Sequence, residues 1–203
     1  MKVLELFAGS RSIGKAAESL GMEVFSIDLM PFENVDLAKD LLEVNPDEIP
    51  FVPDIIWASP PCTSYSIAAI KHHRRGQLAV SDTARTGDNL VLATLNFIET
   101  FKPKFWFIEN PRGMLRKMDF MQGLNRDTVT YCQYGDFRMK PTDIWHQSNW
   151  KPRPMCKNGS KCHQSAPRGS RTGTQGLAND YKRSQIPNEL CLEILKSCNA
   201  GSA

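Results

Sequence analysis

Apolar positions fall in short blocks along this chain, and their spacing predicts an alternation of strands and helices. The block "KVLELF" is strand-like and is broken by "AGS". "RSIGKAAESLG" has helical spacing and ends at Gly21, a suitable C-cap. "EVFSID" reads as a second strand, and "VDLAKDLLEV" as a turn with a short helical or extended piece. "DIIWAS" is a third strand that stops at two prolines. Residues 63–87 are polar and read as a long loop. "DNLVLATLNFIETF" is an amphipathic helix, and "KFWFIEN" a fourth strand. "PRGMLRKMDFMQGL" reads as a short helix and "TVTYCQYG" as a fifth strand. Residues 136–183 show no regular period, and "IPNELCLEILKSCN" closes the chain as a helix with Pro187 in its first turn. This succession predicts an α/β doubly wound sheet.

Composition adds limits. The 203 residues, 41% of them hydrophobic, suit one domain with a small appendage. No apolar run is long enough for a membrane span. Six cysteines without a secretion signal lead us to expect an intracellular protein with mostly reduced thiols. The net charge of +3 hides an asymmetry: residues 137–183 hold ten Lys or Arg against two acids, so the remainder is acidic. A basic third on such a body suggests a polyanion met on one side.

In doubly wound sheets ligands bind at the carboxyl ends of the strands. Four unusual groups sit there: Ala8-Gly9, Asp28, Pro60-Pro61-Cys62 and Glu109-Asn110. A strand–Gly–helix turn brings backbone amides close to a ligand, and Asp28 follows Gly9 at the distance of a ribose-binding carboxylate. The dinucleotide pattern G-x-G-x-x-G fails at Arg11, which argues against NAD and leaves another nucleoside cofactor. Cys62 reads either as a small buried hydrophobe or as a nucleophile presented on a stiff turn. In the second case its thiolate needs cations, which the run Lys71, His72, His73, Arg74, Arg75 would supply by folding over the site. Glu109 is either a solubilising strand end or a proton-transfer group beside Cys62.

The segments "LELFAGSRSIGKAAESLG", "ASPPCTSYS", "FWFIENPRG" and "YCQYGDFRMKPT" resemble, in order and rough spacing, the cytosine C5 DNA methyltransferases over most of residues 1–145. The resemblance implies a Rossmann-like methyltransferase that uses S-adenosylmethionine on DNA, with no membrane and no obligate protein partner evident. It implies that Cys62 attacks C6 of cytosine, that Glu109 contacts N3 and the exocyclic amine, and that Arg138 lies near the target base. Phe7, Ala8, Gly9, Ser10, Asp28, Asp40, Pro60, Leu90 and Ser184 would hold the cofactor, Leu90 against adenine. The chain departs from the family where Arg11 and Ser12 replace glycines, where Pro111 replaces valine, and where a Q-x-R-x-R pattern becomes "DFRMK". Family members usually carry a large target-recognition domain. Similar short proteins occur in phages and prophages.

The expected division is a catalytic domain at 1–136, a reduced, irregular basic recognition region at 137–183, and a C-terminal helix at 184–203 packed back on the first. Arg74, Arg75, Arg168 and Arg171 are the expected nucleic-acid contacts, the last two along phosphates. Cys156, Cys162 and His163 are close enough in sequence to share a zinc ion, with Cys132 or His146 as a fourth ligand. Their C-x5-C-H spacing is not that of a standard finger, so the expectation is a loop without metal. Two other readings stay open: the same chemistry on RNA or a free cytosine nucleotide, and a silent nucleic-acid-binding module.

Overall fold

The computed structural model describes residues 1–165, 177 and 180–200. In chain order the elements are β1 (Lys2–Leu6), α1 (Ser12–Ser19), β2 (Glu23–Asp28), β3 (Leu37–Ala38), β4 (Ile55–Ala58), α2 (Ile70–His73), β5 (Arg74–Arg75), β6 (Leu78–Ala79), α3 (Asp82–Phe101), β7 (Phe105–Pro111), β8 (Arg126–Thr130), β9 (Pro141–Gln147), α4 (Asp180–Ser184) and α5 (Asn188–Ala200). Seven strands form one sheet in the order β3-β2-β1-β4-β7-β9-β8. The first five are parallel, and β9 runs antiparallel between β7 and β8. The chain goes from β1 outward to β2 and β3, then returns to β4 on the other side of β1. The crevice between β1 and β4 is therefore the topological switch point, where such sheets bind ligands.

The pleat of the central strands sorts their side chains. Val3, Ile55, Trp57 and Phe107 meet Ile13, Ala16 and Ala17 of α1 and Leu190, Ile194 and Leu195 of α5. Leu4, Leu6, Ile56 and Ile108 point the other way and meet Val91 and Phe97 of α3. With both faces covered, β1 and β4 read as nearly unbroken apolar runs. Among the described residues, no helix is long and apolar enough to cross a membrane.

Four segments differ from expectation, the first being "TVTYCQYG", where the strand Arg126–Thr130 gives way to a 3-10 turn at Tyr131–Tyr134. The polar stretch 63–87 carries α2, the β5–β6 hairpin and the start of α3. That helix begins early because the Ser81 hydroxyl accepts the Ala84 N–H (3.2 Å) and caps it. Residues 112–124 form two 3-10 turns, Met114–Lys117 and Asp119–Met121, because Met118 between them is extended. Within the region expected to be irregular, residues 141–147 form β9. Its polar residues are paired rather than solvated. Buried Asp143 accepts from Arg116 Nε (2.8 Å) and Thr128 Oγ1 (2.8 Å), while both ring nitrogens of buried His146 are engaged, by Asp127 (3.1 Å) and Ser148 (2.8 Å).

Candidate active site

The turn after β1 is held in a costly shape. Phe7, Gly9 and Arg11 have φ of 59°, 48° and 53°. Only Gly9 adopts this cheaply; each of the others costs about 1–2 kcal/mol. The shape persists because Ala8 N–H donates to the Ile27 carbonyl (3.0 Å) and Gly9 N–H to Asp28 Oδ2 (2.9 Å). Arg11, standing where the family has glycine, is 5% exposed and reaches Ser26 Oγ (3.0 Å) and Glu18 Oε1 (2.5 Å). Its side chain therefore leaves the face of the turn clear, and the lost glycine does not obstruct a ligand.

Beneath this turn lies Glu5, buried in an apolar strand. Its carboxylate accepts the Ile13 N–H (3.1 Å) at the start of α1 and the Ser26 hydroxyl (3.3 Å). Burial lifts its pKa to about 7, against the pull of the helix amides and Arg11. Gly14 gives it room, since a Cβ there would sit 2.6 Å from Glu5 Oε2.

The turn after β4 delivers the thiol. The Pro60 carbonyl accepts Asn110 Nδ2 (2.9 Å), which ties this turn to the end of β7. The Cys62 carbonyl accepts the N–H groups of Tyr65 (3.0 Å) and Ser66 (2.9 Å), so the chain curls directly after the cysteine. From β7, buried Glu109 accepts the Tyr131 hydroxyl (2.9 Å). Lys140 lies with Nζ 4.7 Å from the Tyr131 ring centroid and donates to the Arg183 carbonyl (2.9 Å). Its backbone, at φ 26° just before a proline, is strained.

Cys62, Glu109 and Lys140 line one cavity of about 680 Å³, together with Glu5, Phe7–Ser10, Pro60 and Pro61. The C-terminal segment closes it with Arg183, Ser184 and Ile186. That segment is latched at Ser12, whose hydroxyl accepts the Ile186 N–H (3.2 Å). Burial pushes the Cys62 thiol up, and the Glu109 carboxylate pushes it further. Lys140 and Arg183 pull it back in part. Burial pushes Lys140 down; Arg138 adds to that, and Glu109 opposes it.

The expected site residues thus divide. Cys62, Glu109, Phe7, Ala8, Gly9, Ser10, Pro60 and Ser184 share the cavity wall. Asp28 stands behind it, its carboxylate accepting the N–H groups of Gly9 and Met30 (both 2.9 Å). Asp40 caps a 3-10 turn through the Leu42 N–H (3.0 Å), and Leu90 packs against the α3 side of the core.

Arg138 is not among the residues that line the cavity. Its Nε donates to Asp136, its Nη1 to the carbonyls of Lys182 (3.1 Å) and Arg183 (3.0 Å), and its Nη2 to Asp136 and the Gln185 carbonyl (3.0 Å). The five guanidinium donors are all engaged. Arg138 clamps the closing segment, and the wall cation is Lys140, the last residue of "DFRMK". Sequence reasoning missed Lys140, although the degraded arginine pattern marked its position. It also missed Arg183, for which there was no signal.

Arg74, expected as a nucleic-acid contact, is 2% exposed and bound to Asp88 (2.5 Å), so its guanidinium faces the protein interior rather than solvent. The run 71–75 does not supply the charges that face Cys62, and the thiol is raised rather than depressed. Arg75 is exposed, with Nη1 donating to the Lys71 carbonyl (2.6 Å). Arg168 and Arg171 lie outside the described residues.

A mostly parallel sheet with a cavity at its switch point, walled by a glycine turn and a Pro-Pro-Cys turn, defines a Rossmann-like methyltransferase. Residues 1–126 match the family described as C-5 cytosine-specific DNA methylase, and the chain belongs to that family. A "Probable DNA (cytosine-5)-methyltransferase" of Frog virus 3 (isolate Goorha) is 26% identical over 218 residues, which cover 98% of this chain and 100% of the viral protein. Among solved structures, a Spodoptera frugiperda DNMT2 mutant matches at 17% identity with a TM-score of 0.49, over 75% of this chain and 53% of that one. The S. pombe Dnmt2 methyltransferase matches at 16% with a TM-score of 0.47, over 74% and 50%. The chain thus spans about half the length of these solved chains.

Proposed function

We propose that this protein methylates C5 of cytosine in DNA with S-adenosylmethionine as donor, through a covalent bond between Cys62 and C6 of the base. The observation that carries this reading is the convergence of Cys62, Glu109 and the left-handed glycine turn on one cavity. The cofactor fits the wall. Phe7–Ser10 give a turn with a glycine at close approach, and Glu5 places a buried carboxylate where a cationic ligand gains from it. S-adenosylmethionine supplies an electrophilic methyl group on a positively charged sulfur.

The chain's own residues do the rest. Cys62 attacks C6 as the thiolate, forming a C–S bond. Glu109 gives a proton to N3, so the electron pair displaced from the C5–C6 double bond is held in the ring and C5 becomes nucleophilic. After C5 is methylated it gives up its proton to water. The double bond re-forms, the C–S bond breaks, and Glu109 recovers the N3 proton. A duplex target must be flipped out of its stack to reach this cavity. The family description and the viral relative's name favour DNA, and the basic 137–183 stretch favours a polynucleotide over a free nucleotide.

The test offers labelled cofactor with duplex DNA, RNA and cytosine nucleotides in parallel. Label in 5-methylcytosine of DNA is the expected result. Label confined to RNA or nucleotide overturns the substrate, and no label anywhere overturns the activity. Lys140 gives a second expected result. Its charge favours the thiolate, and the rate rises with pH through the Cys62 pKa. Lys140→Met therefore moves the rising limb of the pH–rate profile to higher pH, with about a tenfold loss at fixed lower pH per unit moved. Lys140→Arg restores it. An unmoved profile in Lys140→Met removes that role.

A further inference from the structure

We propose that Cys132, Cys156, Cys162 and His163 bind one zinc ion that fastens the segment after β9 to the outer end of the sheet. Cys132 sits in the 3-10 turn Tyr131–Tyr134 that follows β8. The other three come from residues 151–165, where the structure has neither helix nor strand. Three sulfurs and a ring nitrogen from these two places lie within 4.8 Å of one another.

Three of four distances among them are those of a coordination shell, and the Cys132–Cys156 separation is shorter. Zinc bonds of about 2.3 Å to sulfur and 2.0–2.1 Å to nitrogen, at tetrahedral angles, place sulfurs about 3.8 Å apart and sulfur about 3.6 Å from nitrogen. Here the sulfurs of Cys132 and Cys162 are 3.7 Å apart, and those of Cys132 and Cys156 are 3.1 Å apart. His163 Nδ1 is 3.6 Å from both Cys156 and Cys162. Its Nε2 is buried with no partner among the described residues, so Nδ1 is the atom presented to the sulfurs. Three thiolates and an imidazole select zinc over magnesium or calcium, which prefer oxygen. Around them, Gln133 Nε2 donates to Cys162 Sγ (3.6 Å) and the Cys156 N–H to Thr130 Oγ1 (3.0 Å), the outer contacts that orient ligands. A disulfide would use only two of the four donors.

The ion would also reach the active site. Next to His163, the Gln164 N–H donates to the Phe137 carbonyl (2.9 Å). Phe137 precedes the clamp Arg138 and the cavity lysine Lys140. Metal binding thus holds in place the strand entry that carries both.

The test measures metal in the purified full chain, then replaces it with cobalt. One zinc per chain is expected, and cobalt should give thiolate charge-transfer bands and the intense visible bands of a tetrahedral site. Cys162→Ser, at an exposed position, should lose the zinc and melt at lower temperature, whereas Cys62→Ser should keep it. Metal-free protein with no tetrahedral cobalt spectrum overturns the proposal. So does a Cys132–Cys156 disulfide found by mass spectrometry, or zinc retained by both Cys156→Ser and Cys162→Ser. If a variant fails to fold, the zinc content and cobalt spectrum of the wild type decide.

Discussion

Cys62→Ser loses methyl transfer by on the order of 10³-fold or more, because a serine hydroxyl ionises several pH units above a thiol and is the poorer nucleophile. S-adenosylhomocysteine should still bind and still raise the melting temperature, since the Phe7–Ser10 turn and Glu5 are untouched. DNA carrying 5-fluorocytosine separates the roles further. Fluorine at C5 cannot leave as a proton does, so the wild type should be trapped covalently and the variant should not. Wild-type rates in Cys62→Ser would place the nucleophile elsewhere.

Arg74→Ala costs about 3–5 kcal/mol of stability, the usual penalty for removing one partner of a buried ion pair. Arg74 lies 4.4 Å over the Tyr65 ring and donates through Nε to the Ser64 carbonyl (3.0 Å). Asp88 accepts from Arg74 (2.5 Å) and from the Tyr65 hydroxyl (2.6 Å). Without the guanidinium, Asp88 is left partly buried and uncompensated, and the turn that begins at Cys62 loses its anchor. Methyl transfer should therefore fall along with the melting temperature. An Arg74→Met/Asp88→Asn pair should recover part of the stability, because neither charge then has to be desolvated and the side-chain amide oxygen still accepts the Tyr65 hydroxyl. Denaturant titration of the single and double variants checks both; a single variant within about 1 kcal/mol of wild type would show that the pair anchors nothing.

The parallel half of the sheet was legible in the sequence because strands buried on both faces announce themselves. "KVLELF" and "DIIWAS" each end in a residue that the structure brings to the cavity, and "KFWFIEN" brings Glu109 there one residue before its end. β9 was not legible. Asp143 and His146 look like surface residues until Arg116, Asp127 and Ser148 supply their partners from other elements. Arg74 misled for the same reason: in a row of five basic residues nothing marks the one that turns inward, since Asp88, its partner, lies on α3. Arg138 was expected at the base and Lys140 was missed, because a sequence pattern gives spacing along the chain and not the direction of a side chain. In this case the first arginine is drawn off by the carbonyls of residues 182–185. The three thiols and the imidazole were visible as residue types, but their meeting point depends on Cys132, some 24 residues before Cys156.

The latch between Ser12 and Ile186 joins residues 174 positions apart. At about 5–20 residues per second, a ribosome needs roughly ten to thirty seconds to travel from one to the other. β1 is already made when that interval opens, and β4 and β7 follow in the course of it, while the residues that close the cavity do not yet exist. From Glu109 to Ile186, a stretch of 77 residues, the nascent protein therefore carries both its nucleophile and its acid before it has a closed chamber for either substrate to occupy.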